Sequence, residues 1–188
     1  MNVSDTDALI VVDVQNDFCP GGALAVPEGD DVVPVINRLM PRFRHVIATQ
    51  DFHPPKHSSF ATQGGPWPEH CVEGTPGAEF HPALEVSRAD EIVQKGMDPA
   101  TDGYSGFAGT DLADRLRARG IRRIFVTGLA TDYCVRATAI EAVEHGFDAV
   151  VLTDAIRAVG VAPGDGGAAL QEMSRAGATL QTSDGLNS

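Results

Sequence analysis

Three residues whose types can combine in nucleophilic chemistry stand just after apolar runs. Cys134 closes the stretch GLATDYC behind IFVTG, Asp13 follows ALIVV, and Lys95 closes EIVQK. A cysteine at the opening of a helix lies near unpaired backbone N–H groups and the positive end of the dipole, which favours thiolate. A nearby ammonium pushes the same way, while a carboxylate can accept the thiol proton and later return it to a leaving group. Backbone amides of GLATDYC can hold a developing oxyanion. The opposing reading is an inert thiol packed at a strand–helix junction, since free cysteines are among the most buried residues. Cys19 and Cys71 have no acid–base partner nearby in the sequence and read as structural thiols.

A second group has the chemistry of a metal site. Asp51 and His53, in DFHPPKH, are two residues apart at a predicted strand end, and His57 and His70 follow in the next segment. One carboxylate and two imidazoles suit Zn²⁺, Mn²⁺ or Fe²⁺ and leave coordination positions open. Surface histidines beside an acidic turn residue are the alternative. Phe18, Trp67, Tyr104 and Phe107 are the aromatics near these loops. They can line a pocket for a flat ring or simply pin the loops down. Asp17, in DVQNDF, is either a hydrogen-bond acceptor behind the site or a turn former.

The elements that must position these groups alternate in type. Ala8–Val12, His45–Asp51, Glu91–Lys95, Ile124–Thr127 and Ala149–Leu152 read as strands, with ATLQT (178–182) as a final edge strand. Helical spacing marks 30–40, 110–120 and 135–145, with a weaker helix over 167–175. Pro34 is tolerable only in a first turn, Thr110 can cap the second helix, and Gly120 and Gly146 are stops. Strands alternating with helices predict a parallel sheet covered on both faces. In such a sheet reactive groups gather beyond the carboxyl ends of the strands. Asp13, Lys95 and Cys134 therefore converge if their strands are neighbours. The segment 52–79 lacks periodicity, and a loop of that length is often functional.

Bulk composition narrows the classes further. A chain of 188 residues suits one domain, 1–188, with one core. A net charge of -12 without a Lys/Arg-rich tract argues against binding a phosphate backbone. No apolar run is long enough to span a membrane, and MNVSDTDALIVV lacks the basic-then-apolar pattern of a secretory leader. Three scattered cysteines make a poor disulfide framework. The cytoplasm is the expected compartment. Oligomeric state, monomer or homodimer, stays open.

Taken together, DVQNDFCPGGAL, TQDFHPPKHSSF, WPEHCVEGTPGAEF, QKGMDP, DGYSGF and GLATDYCVRATAIEA resemble the nicotinamidase/pyrazinamidase branch of the isochorismatase-like cysteine hydrolase superfamily. The resemblance runs with gaps from about Leu9 to Ala158. DVQNDF is shared across the superfamily; joined to the DFH and WPxHC segments it points to this branch. The resemblance implies a three-layer α/β/α, Rossmann-like hydrolase fold around a six-stranded parallel sheet. It implies a catalytic triad of Asp13, Lys95 and Cys134. The oxyanion hole falls on the amides of Ala130 and Cys134, with Leu129–Ala130 as a cis bond. The metal ligands fall on Asp51, His53 and His70, with His57 at the HPxxH position near which some members add another. The implied cofactor is one divalent ion, Zn²⁺ first, with Mn²⁺ or Fe²⁺ as alternatives. Phe18 and Trp67, with Tyr104 beside them, correspond to the substrate contacts. The implied reaction converts nicotinamide to nicotinate and ammonia through a thioester, serving NAD salvage, with pyrazinamide as a second substrate. Tyr133 stands where some relatives carry histidine.

Overall fold

The computed structural model describes residues 1–186. Six strands form one sheet: β1 (Asp7–Val12), β2 (His45–Asp51), β3 (Glu91–Lys95), β4 (Arg123–Leu129), β5 (Asp148–Arg157) and β6 (Thr179–Gln181). Their order is β3-β2-β1-β4-β5-β6, and every pairing is parallel. Four helices accompany them: α1 (Val32–Leu39), α2 (Leu112–Ala118), α3 (Arg136–Glu144) and α4 (Asp165–Ala176).

The apolar run of β1 is explained by its central place, because both of its faces are covered. Leu9 and Val11 point to the layer holding α1, where Val32, Val33, Ile36 and Leu39 form the buried stripe. Ala8, Ile10 and Val12 point the other way, toward Leu112 and Leu116 of α2, Ala139 and Ala142 of α3, and Met173 of α4. Each fully buried aliphatic side chain contributes about 1.5–3 kcal/mol, so the alternation fixes which face each strand residue takes. The layers are uneven. One helix covers the first face, and loop residues such as Phe18, Val26, Cys71 and Leu84 complete its cover.

Pro34 sits in the first turn of α1, where a missing N–H leaves no intrahelical bond unmade. The strands β4 and β5 run beyond their predicted ends, to Leu129 and Arg157. Of the two readings open for the loop aromatics, Phe107 takes the packing one: it is buried against Phe147 and His145 in the second core layer and is not among the residues lining the cleft described below.

The chain reverses its direction of strand addition between β1 and β4, which opens a crevice at their carboxyl ends. Asp13 follows β1 and Cys134 lies five residues beyond the end of β4, so both flank that crevice. Lys95 does not come from a neighbouring strand, contrary to expectation. Its strand is separated from β1 by β2, and Lys95 is in register with Asp51 at the β2 terminus. Its long side chain spans the difference. Among the described residues no helix is long and apolar enough to cross a membrane.

Candidate active site

The chain leaves β1 through Asp13, whose φ of 48° lies in the left-handed region that aspartate tolerates better than most residues. This turn aims the carboxylate across the strand ends, and Thr49 of β2 donates its hydroxyl to Oδ1 at 2.7 Å. Asp13 Oδ2 lies 2.8 Å from the Lys95 ammonium, yet no well-directed hydrogen bond fills its lone pair. Lys95 is fully buried and also donates to Asp51 Oδ1 at 3.0 Å, to the Gly103 carbonyl at 2.8 Å and to the Cys134 sulfur at 3.5 Å. One ammonium thus holds together two carboxylates and a thiol from three separate chain segments.

The electrostatics differ from the sequence expectation in one respect. Burial pushes the Cys134 thiol well above its ordinary value; Lys95 pulls it down, but Asp13 and Asp51 push it up again. The resting sulfur is therefore protonated. Reaction requires a base, and the Asp13 carboxylate, which shares the Lys95 ammonium with the sulfur, is the group placed to serve. Burial raises the Asp13 carboxyl above its ordinary value, with Lys95 opposing and Asp51 adding to the rise. For Lys95, burial works against the charge, but Asp13 and Asp51 outweigh it and keep the ammonium charged.

Cys134 lies in a π-helical turn, Thr131–Val135, that runs directly into α3. The Leu129–Ala130 peptide before it is cis, as the resemblance implied. Ala130 and Cys134 both line one cleft. Phe18, Trp67 and Tyr104 supply apolar walls, and Asp51, His53 and His70 reach it from the opposite chemistry.

The ligand atoms of Asp51, His53 and His70 lie within 4.8 Å of one another, and all three residues are buried. The hydrogen bonding of the rings decides what they can hold. His53 Nδ1 is 2.8 Å from the Gly96 carbonyl, and His70 Nδ1 is 2.8 Å from the Pro68 carbonyl. Carbonyls only accept, so both Nδ1 atoms carry the proton and each neutral ring turns a bare Nε2 inward. Those nitrogens face Asp51 Oδ2 at 2.9 and 3.7 Å. Three lone-pair donors meeting in a buried site fit a divalent cation, and the backbone carbonyls behind the histidines are the outer partners such ligands use. Burial alone would raise the Asp51 carboxyl, but the Lys95 ammonium beside it holds it well below its ordinary range.

His57 stands beside this cluster and outside it. Its ring lies against His53 with centroids 4.0 Å apart and planes tilted by 32°, Nδ1 pairs with the Ser59 hydroxyl at 2.7 Å, and buried Nε2 has no hydrogen-bond partner among the described residues. Cys19 and Cys71 are buried free thiols; burial pushes Cys19 up to about 11 and Cys71 well above its ordinary value.

Several positioning groups had weaker signals in the sequence. The Gln15 side chain acts like an added strand residue: it donates to the Asp51 carbonyl at 2.8 Å and accepts from the Asp51 N–H at 2.8 Å. Its signal was a glutamine three residues beyond the buried apolar run ALIVV. Thr49 could have been suspected as a hydroxyl inside the run HVIATQD. Asp17 accepts from the Cys71 N–H at 2.8 Å, which fixes the chain next to His70. Gly96 has φ of +66°, and an added Cβ would lie 2.5 Å from the His53 ring and 2.9 Å from Asp51 Oδ1. Glycine is required there because the backbone passes directly behind two of the three cation ligands.

Comparison with known proteins agrees with this geometry. The isochorismatase domain model matches residues 7–185. The chain is similar to the nicotinamidase of Escherichia coli (strain K12), with 45% identity over 93% of this chain and 94% of that protein. It superposes on PnC1 of L. infantum, solved with nicotinate, at a TM-score of 0.95 and 41% identity, covering 100% of this chain and 98% of that one. It also superposes on the pyrazinamidase of Pyrococcus horikoshii in complex with zinc, at a TM-score of 0.87 and 48% identity over 94% and 99% of the two chains.

Proposed function

This chain belongs to the isochorismatase family, and on that premise we propose that it is a nicotinamidase that also accepts pyrazinamide. The observation that carries the proposal is the joining of two devices in one cleft. A thiol, a carboxylate and an ammonium meet beside a buried three-donor cation site, between aromatic walls suited to a flat ring.

The reaction follows from the resting protonation states. Phe18 and Trp67 hold the pyridine ring and set the carboxamide carbon over the Cys134 sulfur, and Tyr104 bounds the same wall. The Asp13 carboxylate takes the thiol proton as the sulfur electron pair forms the C–S bond. The amide oxygen becomes an oxyanion held by the Ala130 and Cys134 backbone N–H groups. Asp13 returns the proton to nitrogen, the C–N bond breaks and ammonia leaves. Asp13 then removes a proton from water, whose oxygen attacks the thioester; the C–S bond breaks, sulfur regains its proton and nicotinate departs. Lys95 stays charged throughout and keeps Asp13 available as a carboxylate at neutral pH. A divalent ion on Asp51, His53 and His70, for which we propose Zn²⁺, would supply a Lewis-acid anchor for the ring nitrogen.

The product is the acid form of a pyridine amide, which suits pyridine nucleotide salvage. The test is ammonia release and nicotinate formation from nicotinamide by the zinc-loaded protein. Equimolar ammonia and nicotinate are expected; absence of both would overturn the assignment.

A further inference from the structure

Two carboxylates line the cleft, and the mechanism above uses only one of them. Asp51 belongs to the cation site and lies 3.0 Å from the Lys95 ammonium. The other is Asp102, an exposed residue on the loop after β3. Its Oδ1 accepts the Tyr104 N–H at 3.2 Å, and among the described residues no basic side chain forms an ion pair with it. The backbone beside Asp102 is tied to the centre of the site. The carbonyl of the next residue, Gly103, accepts from the Lys95 ammonium at 2.8 Å, and that ammonium lies 3.5 Å from the Cys134 sulfur. An unpaired negative charge is thereby held on the cleft wall, one residue from a group that contacts the catalytic ammonium.

The reaction gives that charge something to act on. The amide that enters is neutral, and the acid that leaves is an anion. Backbone N–H groups placed for an oxyanion also attract a carboxylate, and a divalent ion on the three donors would add to that attraction. The site is therefore built in a way that retains its own product. A fixed carboxylate on the wall opposes this selectively, because it repels an anion and leaves a neutral molecule nearly unaffected. Lys95 does not cancel Asp102, since its ammonium is already shared between Asp13 and Asp51.

We propose that Asp102 distinguishes substrate from product by charge: it weakens binding of the ring carboxylate and leaves binding of the neutral amide unchanged. This rests on the nicotinamidase reading for the identity of the pair, while the selectivity for neutral over anionic ligands belongs to the cleft itself. Asp102→Asn separates charge from local structure, because the asparagine side-chain oxygen still accepts the Tyr104 N–H. Asp148 is the control for net charge. It is exposed at the amino end of β5, the opposite end of the parallel sheet from the cleft, and Asp148→Asn removes the same unit of charge.

The experiment measures the KM for nicotinamide and the inhibition constant of added nicotinate for zinc-loaded wild type, Asp102→Asn, Asp102→Glu and Asp148→Asn. Each is measured at about 0.01 M and about 1 M salt, where charges are screened over about 30 Å and about 3 Å. A unit charge about 10 Å from an anion at a wet surface changes its affinity about twofold to fivefold. In Asp102→Asn at low salt the nicotinate inhibition constant therefore falls by that factor, while the KM for nicotinamide stays within about 1.5-fold of wild type. The difference disappears at high salt. Asp102→Glu, which keeps the charge, and Asp148→Asn, which keeps the cleft, both behave as wild type. If Asp102→Asn is unfolded by circular dichroism, Asp102→Ser takes its place with the same expectations. An unchanged nicotinate constant in Asp102→Asn overturns the proposal, as does an equal fall in Asp148→Asn or a parallel change in the KM. Failure of wild type to hydrolyse nicotinamide would overturn the parent reading instead. Quenching of Trp67, the single tryptophan and a cleft residue, by nicotinate and by nicotinamide would then decide the charge selectivity alone. Tighter nicotinate binding in Asp102→Asn, with nicotinamide unchanged, upholds it; equal binding in both proteins overturns it.

Discussion

Replacing Lys95 with methionine removes one charge while keeping much of the side-chain volume. The structure says what that charge holds. Lys95 is fully buried and lies 2.8 Å from Asp13 and 3.0 Å from Asp51, whose side chains are 0% and 5% exposed. Removing one partner of a buried ion pair costs about 3–5 kcal/mol, or a Tm lower by roughly 6–20 °C for a chain of this size. The cost depends on pH in a fixed direction. Without the ammonium, burial and Asp51 raise the Asp13 carboxyl further. A carboxyl with a raised folded-state pKa binds more protons folded than unfolded, so stability falls as pH climbs from its ordinary value through the raised one, then levels. The gap between variant and wild type is therefore smallest near about pH 4 and full above the raised value. Urea unfolding of both proteins across about pH 4 to 8, loaded with zinc, measures that gap. A protonated Asp13 is also no base, so kcat/KM at neutral pH falls about 10²–10⁴-fold. A gap that stays constant with pH, or stays below about 1 kcal/mol as for an exposed pair, would refute Lys95 as the charge that keeps Asp13 ionised.

Three further outcomes follow from the same geometry. The acid limb of wild-type kcat/KM lies above 3.8, the ordinary value for aspartate, because burial raises Asp13 and activity is lost as pH falls through that raised value; a limb at or below 3.8 contradicts Asp13 as the base. His53→Ala lowers bound zinc well below one per chain, measured by elemental analysis of the purified variant, and full occupancy would remove His53 from the ligand set. Gly96→Ala loses about 1–2 kcal/mol from its left-handed backbone alone. It also loses zinc affinity, because the new methyl lies 2.5 Å from the His53 ring; unchanged affinity by competitive chelation would contradict the close approach.

The strands were legible because their cause is local to the sequence. ALIVV is apolar throughout because β1 is covered on both faces, and HVIATQD and EIVQK end on charged residues because the crevice begins there. Asp51, His53 and His70 were legible as a set of donors, although only the fold brings His70 back to the β2 terminus. Strand order was not legible, since handedness rules leave it open. That is why Lys95 was placed beside Asp13, when it actually reaches across Asp51 from the edge strand. The electrostatic balance at Cys134 was only partly legible for a related reason. Sequence shows an ammonium and a helix start, but not the burial and the second carboxylate that outweigh them. Gln15 and Thr49 act through partners 36 residues away, and that leaves no mark in local spacing.

The central claim is that the Cys134 sulfur is the nucleophile. Ammonia release from nicotinamide by Cys134→Ala, at zinc content equal to wild type, tests it most directly. Release no faster than the uncatalysed background is predicted. Turnover within about tenfold of wild type would contradict the covalent mechanism.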